Sequence, residues 1–182
     1  TGKKPVPPRN LAPDADPANR PHVVNNSWDG ARGDLWYQAK VQAWVAAGIV
    51  PAVSAGNGGS GCATLTSPGE YPESFTSGAH DMSGGVAFFS SRGPGSFDDI
   101  PYTKPNISAP GVNVCSSYPT NKYACINGTS MASPHSAGAV ALLWACNPGL
   151  VGQIDKTFQL LQDTASAAPA GSCGAPLSGQ GN

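Results

Sequence analysis

The chain has 182 residues, a formal net charge of −1 and 12% charged side chains, which indicates neither a nucleic acid nor an anionic membrane as partner. No apolar run approaches the ~20 residues of a membrane span, and the length suffices to bury the core of one domain. Glycine (23) and proline (18) are abundant without any repeat, which fits a compact, loop-rich fold.

Residues 1–21 carry six prolines and little apolar material. They read as an extended loop or linker ahead of a domain at 22–182. The opening TGKKPVPPRN holds no apolar h-region, so no signal peptide is visible in it. HVVNNSW (22–28) has the composition of a strand. DLWYQAKVQAWVAAG (34–48) places Leu35, Trp36, Val41, Trp44 and Val45 at helical spacing and stops at Gly48, which predicts an amphipathic helix. IVPAVSAG (49–56) is apolar and short enough for a buried strand. Strand, helix and strand in that order make a βαβ unit, hence a parallel sheet with a right-handed crossover.

SFTSGAH (74–80) and VAFFS (86–90) read as two further strands, and VNVCSS with KYACIN as the arms of a hairpin. SPHSAGAVALLWAC (133–146) is apolar on nearly every side, the mark of a helix buried at the centre of a domain. VGQIDKTFQLLQDTA sets Ile154, Phe158 and Leu161 on one face of a surface helix, and the tail APAGSCGAPLSGQGN is irregular. The expected fold class is α/β, with a mainly parallel sheet and one inserted hairpin.

The five cysteines show neither CxxC nor zinc-ligand spacing. Cys115 and Cys125 lie symmetrically about Thr120, so a hairpin centred there makes a cross-strand disulfide feasible and implies an oxidising compartment. Two buried thiols are the other reading. A Cys146–Cys173 pair is a second expectation. It leaves Cys62 over, free or bonded to a cysteine outside the chain.

NGTSMASPH (127–135) sets Ser130 between a strand and the apolar helix. A helix N-terminus offers unpaired backbone N–H groups and the positive end of the macrodipole, which can stabilise a developing oxyanion. Pro134 suits the first turn of such a helix. An N-cap role for Thr129 or Ser130 is the plain alternative. Ala132 excludes a G-x-S-x-G elbow, and Ser133 rules out S-x-x-K.

NGTSMASPH with its Ala/Gly-rich helix resembles the nucleophile segment of the subtilisin-like serine proteases. VVNNSW, IVPAVSAGNGG, SPGEYPESFTSGAHD, VAFFSSRGP and KPNISAPGVNV are similar to further segments of that family, in family order. NNSW and AGNGGSGC look most like its bacillopeptidase F branch. The resemblance runs from about residue 20 to about residue 165. It implies a three-layer αβα fold around the mainly parallel sheet. It also implies a secreted serine endopeptidase that hydrolyses peptide bonds by acyl transfer through Ser130. Asn57 would be the oxyanion donor. Ser27, Trp28 and Asp29 would present backbone to an extended substrate, and Ser54, Ala55 and Gly56 would form one wall of the specificity pocket. Two residues depart from the family pattern. Asp29 and Thr66 stand where glycine is usual, so the groove edge gains a charge and the pocket narrows.

Serine needs a base and the base an orienting acid, in family order Asp, His, Ser. The sequence contains neither D-[ST]-G nor HGT. His135 lies five residues after Ser130, about 140° around a helix, and faces away. His22 opens a strand, whereas sites in parallel sheets gather at strand carboxyl ends. His80 neighbours Asp81, but the resemblance puts it away from the triad.

The sequence is therefore expected to be the C-terminal part of the catalytic domain. The strand and helix that supply Asp and His, and a final helix, would be missing. Such a chain would be essentially inactive alone, and either poorly stable or associated with another fragment such as the N-terminal part of the domain. The alternative is a triad-less, protease-like peptide-binding domain. No cofactor is required. Structural calcium occurs in the family, but no residue here is assigned as a ligand. Sequons at Asn25, Asn106 and Asn127 are given no role.

Overall fold

The computed structural model describes residues 17–97, 100–166 and Cys173. The expected linker up to residue 16 and most of the irregular tail lie outside the described residues.

Four strands form the parallel sheet: β1 (Val23–Asn26), β2 (Val50–Ser54), β3 (Phe75–His80) and β6 (Ile107–Pro110), in the order β1-β2-β3-β6. Between β1 and β2 runs α1 (Gln38–Ala46), which completes the βαβ unit. Its end is set by Gly48 at φ 73°, a left-handed turn that glycine takes without strain. The helix starts later than its apolar spacing suggests. Leu35 and Trp36, expected on its buried face, precede it and stay 53% and 63% exposed. Tyr71 Oη donates to Asp34 O at 2.5 Å and Trp36 N to Asp34 Oδ1 at 3.1 Å, so this segment is held as a turn instead.

All five residues of β2 are buried, so both sheet faces are covered there. On one face lies α2 (Thr129–Cys146), which crosses all four strands. The outer layer beside it is α3 (Ile154–Asp163). Phe75 of β3 stacks on Phe158 of α3 with ring centroids 4.5 Å apart, and Trp144 Nε1 donates to Thr157 Oγ1 at 2.9 Å. These contacts join the cluster Val50, Phe75, Val140, Trp144, Leu150 and Ile154.

Uniform apolarity predicts a helix buried all round, and α2 is not. Thr129, Ala132, Ser133, Ser136, Val140 and Trp144 are buried, while Leu142 is 71% exposed. The sheet lies beneath one stripe only, and among the described residues nothing covers the opposite face.

Two small antiparallel pairs complete the chain: β4 (Gly95–Phe97) with β5 (Ile100–Tyr102), and β7 (Val114–Tyr118) with β8 (Lys122–Ile126). Cys115 faces Cys125 across β7–β8, and the two are joined by a disulfide. The second disulfide is Cys62–Cys173, 111 residues apart. This corrects the expected Cys146–Cys173 pair: Cys146 is a free, exposed thiol. VAFFS is not a strand either. Residue 86 makes one bridge to His80, and Phe88 is 81% exposed. The partner edge of β3 is already occupied by β6, so no ladder remains for that segment.

Candidate active site

The carboxyl ends of β1 and β2 and the start of α2 converge. The segment 27–30 follows β1, 55–57 follows β2, and α2 begins at Thr129 after Gly128. Ser130 is in the first turn of α2, where backbone N–H groups have no intrahelical partner. Its hydroxyl donates to Ser27 O at 3.3 Å, and Ser27 Oγ donates to Ser130 O at 2.7 Å. Asn25 Nδ2 donates to Ser27 Oγ at 3.0 Å and Ser133 Oγ to Asn25 Oδ1 at 2.7 Å. A polar chain thus runs from α2 through β1 and back to Ser130.

Asn57 is fixed by Thr129. The Thr129 N–H and hydroxyl donate to Asn57 Oδ1 at 3.0 and 3.1 Å. A backbone N–H can only donate, so the amide oxygen must face it and Nδ2 must face away. The Asn57 side chain is exposed, and its Nδ2 has no partner among the described residues. Thr129 Oγ1 also reaches Gly56 O at 3.2 Å, which ties the start of α2 to the end of β2.

Ser54 ends β2, and together with Ala55 and Gly56 after it forms a continuous buried wall. Ser54 Oγ lies 3.4 Å from Trp28 O, and Gly30 N donates to Ser67 O at 2.8 Å. These bonds connect the segment after β1 with the wall and with the loop behind it. Trp28 packs on Trp36 and Tyr37, with centroids 5.9 and 5.0 Å away. Thr66 stands directly over Gly56, where a Cβ would meet its Oγ1 at 2.4 Å, so only glycine fits there. From that position Thr66 Oγ1 donates to Asp29 Oδ2 at 3.0 Å.

The loop behind the wall is braced from below. Glu70, buried, accepts from Ser67 Oγ at 2.6 Å and from Gly33 N. Lys104, wholly buried, donates to Ser74 O, to Asn106 Oδ1 at 2.8 Å and to Thr76 Oγ1 at 3.1 Å. Burial pulls its ammonium down to about 7, against the opposing pull of Glu73.

Among the sequence-derived residues, the structure brings Ser27, Trp28, Asp29, Ser54, Ala55, Gly56, Asn57, Thr66 and Ser130 into one region. It adds Asn25, Thr129 and Ser133, to which sequence reasoning gave no part in the site; Thr129 precedes the nucleophile candidate and Ser133 lies one turn after it on the same helix, and that closeness was the available signal. The three histidines do not join the group. His135 Nδ1 bonds Met131 O at 2.7 Å, His80 Nδ1 bonds Asp81 O at 2.8 Å, and His22 lies edge-on to Trp144 at 6.0 Å.

The sequence matches the profile of the Subtilase family (peptidase S8) over residues 9–182. It is 44% identical over 166 residues to Bacillopeptidase F of Bacillus subtilis (strain 168), covering 87% of this chain and 11% of that protein. It is 40% identical over 130 residues to Subtilisin DY of Bacillus licheniformis, covering 70% of this chain and 44% of that one. The solved structure of an S41 psychrophilic protease superposes with a TM-score of 0.69 at 32% identity, covering 79% of this chain and 48% of that one. The chain therefore spans less than half the length of these proteins.

Proposed function

Since this chain belongs to the subtilase family, a family of serine endopeptidases, we propose that Ser130 is the nucleophile of a secreted enzyme that cleaves protein substrates. The observation that carries this reading is the clamp of Thr129 on Asn57 beside Ser130. It leaves the Asn57 amide N–H unengaged, on a side chain held by the residue next to a first-turn serine. An attacked carbonyl there would receive one hydrogen bond from Asn57 Nδ2 and one from the Ser130 backbone N–H as its oxygen gains charge. Ser27, Trp28 and Asp29 would pair with the substrate as an added strand. The Ser130 proton goes to an imidazole, then to the leaving amine, and water releases the acyl group. This chemistry draws on no metal or cofactor.

That imidazole comes from outside these 182 residues, as does the carboxylate that orients it. In support, all three histidines here are bound elsewhere. The chain alone is then essentially inactive and works together with the polypeptide that brings the base. The two disulfides support an oxidising, extracellular setting, and no helix among the described residues is long and apolar enough to cross a membrane.

The test is labelling by a fluorophosphonate. The protein isolated from its source is expected to label at Ser130 and to lose labelling in Ser130→Ala, while the 182-residue chain alone stays unlabelled. A source protein that binds extended peptides yet never labels would establish the second reading, a triad-less peptide-binding domain. That reading is favoured by one observation: the Ser130 hydroxyl donates to a backbone carbonyl rather than to a base.

A further inference from the structure

We infer that the specificity crevice takes a positively charged side chain, with Asp29 as the residue that selects lysine or arginine before the scissile bond. The inference rests on the groove reading given under the proposed function.

Three observations carry it. First, the Asp29 carboxylate is held in place. Thr66 Oγ1 donates to its Oδ2 at 3.0 Å while standing over Gly56 on the opposite wall. The same hydroxyl lies 3.5 Å from Ala55 O. The carboxylate is thereby tied to the hydroxyl that stands over Gly56.

Second, its charge is not compensated. Oδ1 has no hydrogen-bond partner among the described residues, and Oδ2 has only the Thr66 hydroxyl. The nearest arginine in sequence, Arg32, turns its guanidinium to Ala63 O. A carboxylate with one oxygen anchored and the other open is a ready acceptor for an ammonium or guanidinium.

Third, the remaining lining cannot compete for the cation or repel it. Ser54, Ala55, Gly56 and Thr66 carry no charge. The carbonyls of Ala55 and Gly56 are already engaged by the Thr66 N–H and by the Ser91 N–H. Thr66 also fills the space above Gly56, which takes away room that a large ring would need. A long, thin side chain with a terminal cation matches what remains: a narrow space beside Thr66 and a carboxylate for the head.

The test is equilibrium binding of N-acetylated tripeptides ending in Arg, Lys, Phe, Leu, Ala or Glu to the source protein carrying Ser130→Ala, which binds without cleaving. Isothermal calorimetry provides the readout. The Arg and Lys peptides are expected to bind roughly tenfold tighter than the Phe peptide, the worth of a charge-assisted hydrogen bond. Asp29→Asn should erase that preference. Thr66→Val, which frees the carboxylate to swing, should weaken the preference several-fold. Raising the salt from 0.05 to about 0.5 M should shrink it. A preference for Phe, Leu or Ala sinks the inference while leaving the groove reading intact. So does a basic preference that survives Asp29→Asn. If no peptide binds, the groove reading fails and the inference fails with it.

Discussion

Ser27 and Ser130 are bonded to each other in both directions, hydroxyl to carbonyl each way, at 2.7 and 3.3 Å. The first of these bonds has a structural cause. A helical carbonyl normally accepts from the N–H four residues on, and for Ser130 that residue is Pro134, which has none. Ser27 Oγ supplies the missing donor. Ser27→Ala should therefore strand a part-buried carbonyl and cost about 1–2 kcal/mol of stability. Denaturant titration of the variant checks this. An unchanged midpoint would show that water replaces Ser27 at no cost.

Asn57 carries the proposed oxyanion bond. Asn57→Ala should lower kcat by ~10²–10³ with little change in KM, the range known for such a donor in a subtilisin. Thr129→Val keeps the backbone bond to Oδ1 and removes the hydroxyl one. It should cost several-fold in kcat, because the amide is then held on one side only. Steady-state kinetics of the source protein reads both, and equal losses in the two variants would argue that the clamp alone is what matters.

Lys104 gives the chain a pH signature. Its folded-state value of about 7 lies below the ordinary 10.5, so between those pH values the unfolded chain binds a proton that the folded chain does not. The penalty of burying the ammonium is fully present below about 7 and fades as the pH rises toward 10.5. Stability should increase across that window, and Lys104→Met should flatten the increase. Urea midpoints measured from pH 6.5 to 10 decide it. A wild-type curve parallel to that of the variant would show that the ammonium stays charged on its three acceptors.

The cysteine pairing predicts a mass map with Cys62 joined to Cys173, Cys115 to Cys125, and one free thiol at Cys146. Cys173→Ser opens the longer loop and should cost about 2–5 kcal/mol, whereas Cys146→Ser, at an exposed site, should cost next to nothing. A non-reduced digest linking Cys146 to Cys173 would overturn the map.

The parts of the fold that sequence made legible are those with a local cause. The change from the run at 49–56 to the spacing in 34–48 marks strand and helix, and Gly48 marks the stop. The failures are non-local. Whether VAFFS pairs depends on which strand claims the edge of β3, and that competitor, ISAP, is only four residues long and lies between Pro105 and Gly111. The partner of Cys62 lies 111 residues away, beyond any spacing rule. At the site, Ser130 and Asn57 stood out through their motifs. Asn25 did not, because its link to Ser133 exists only once α2 lies across β1.

The Cys62–Cys173 bond also changes what damage to the backbone can do. The span it closes contains β3, the whole of α2 and α3, and Ser130. A single peptide cut anywhere within it produces two pieces that remain one molecule. Nicking would then be silent on a non-reducing gel, and the broken chain would come apart only when a thiol reductant arrived.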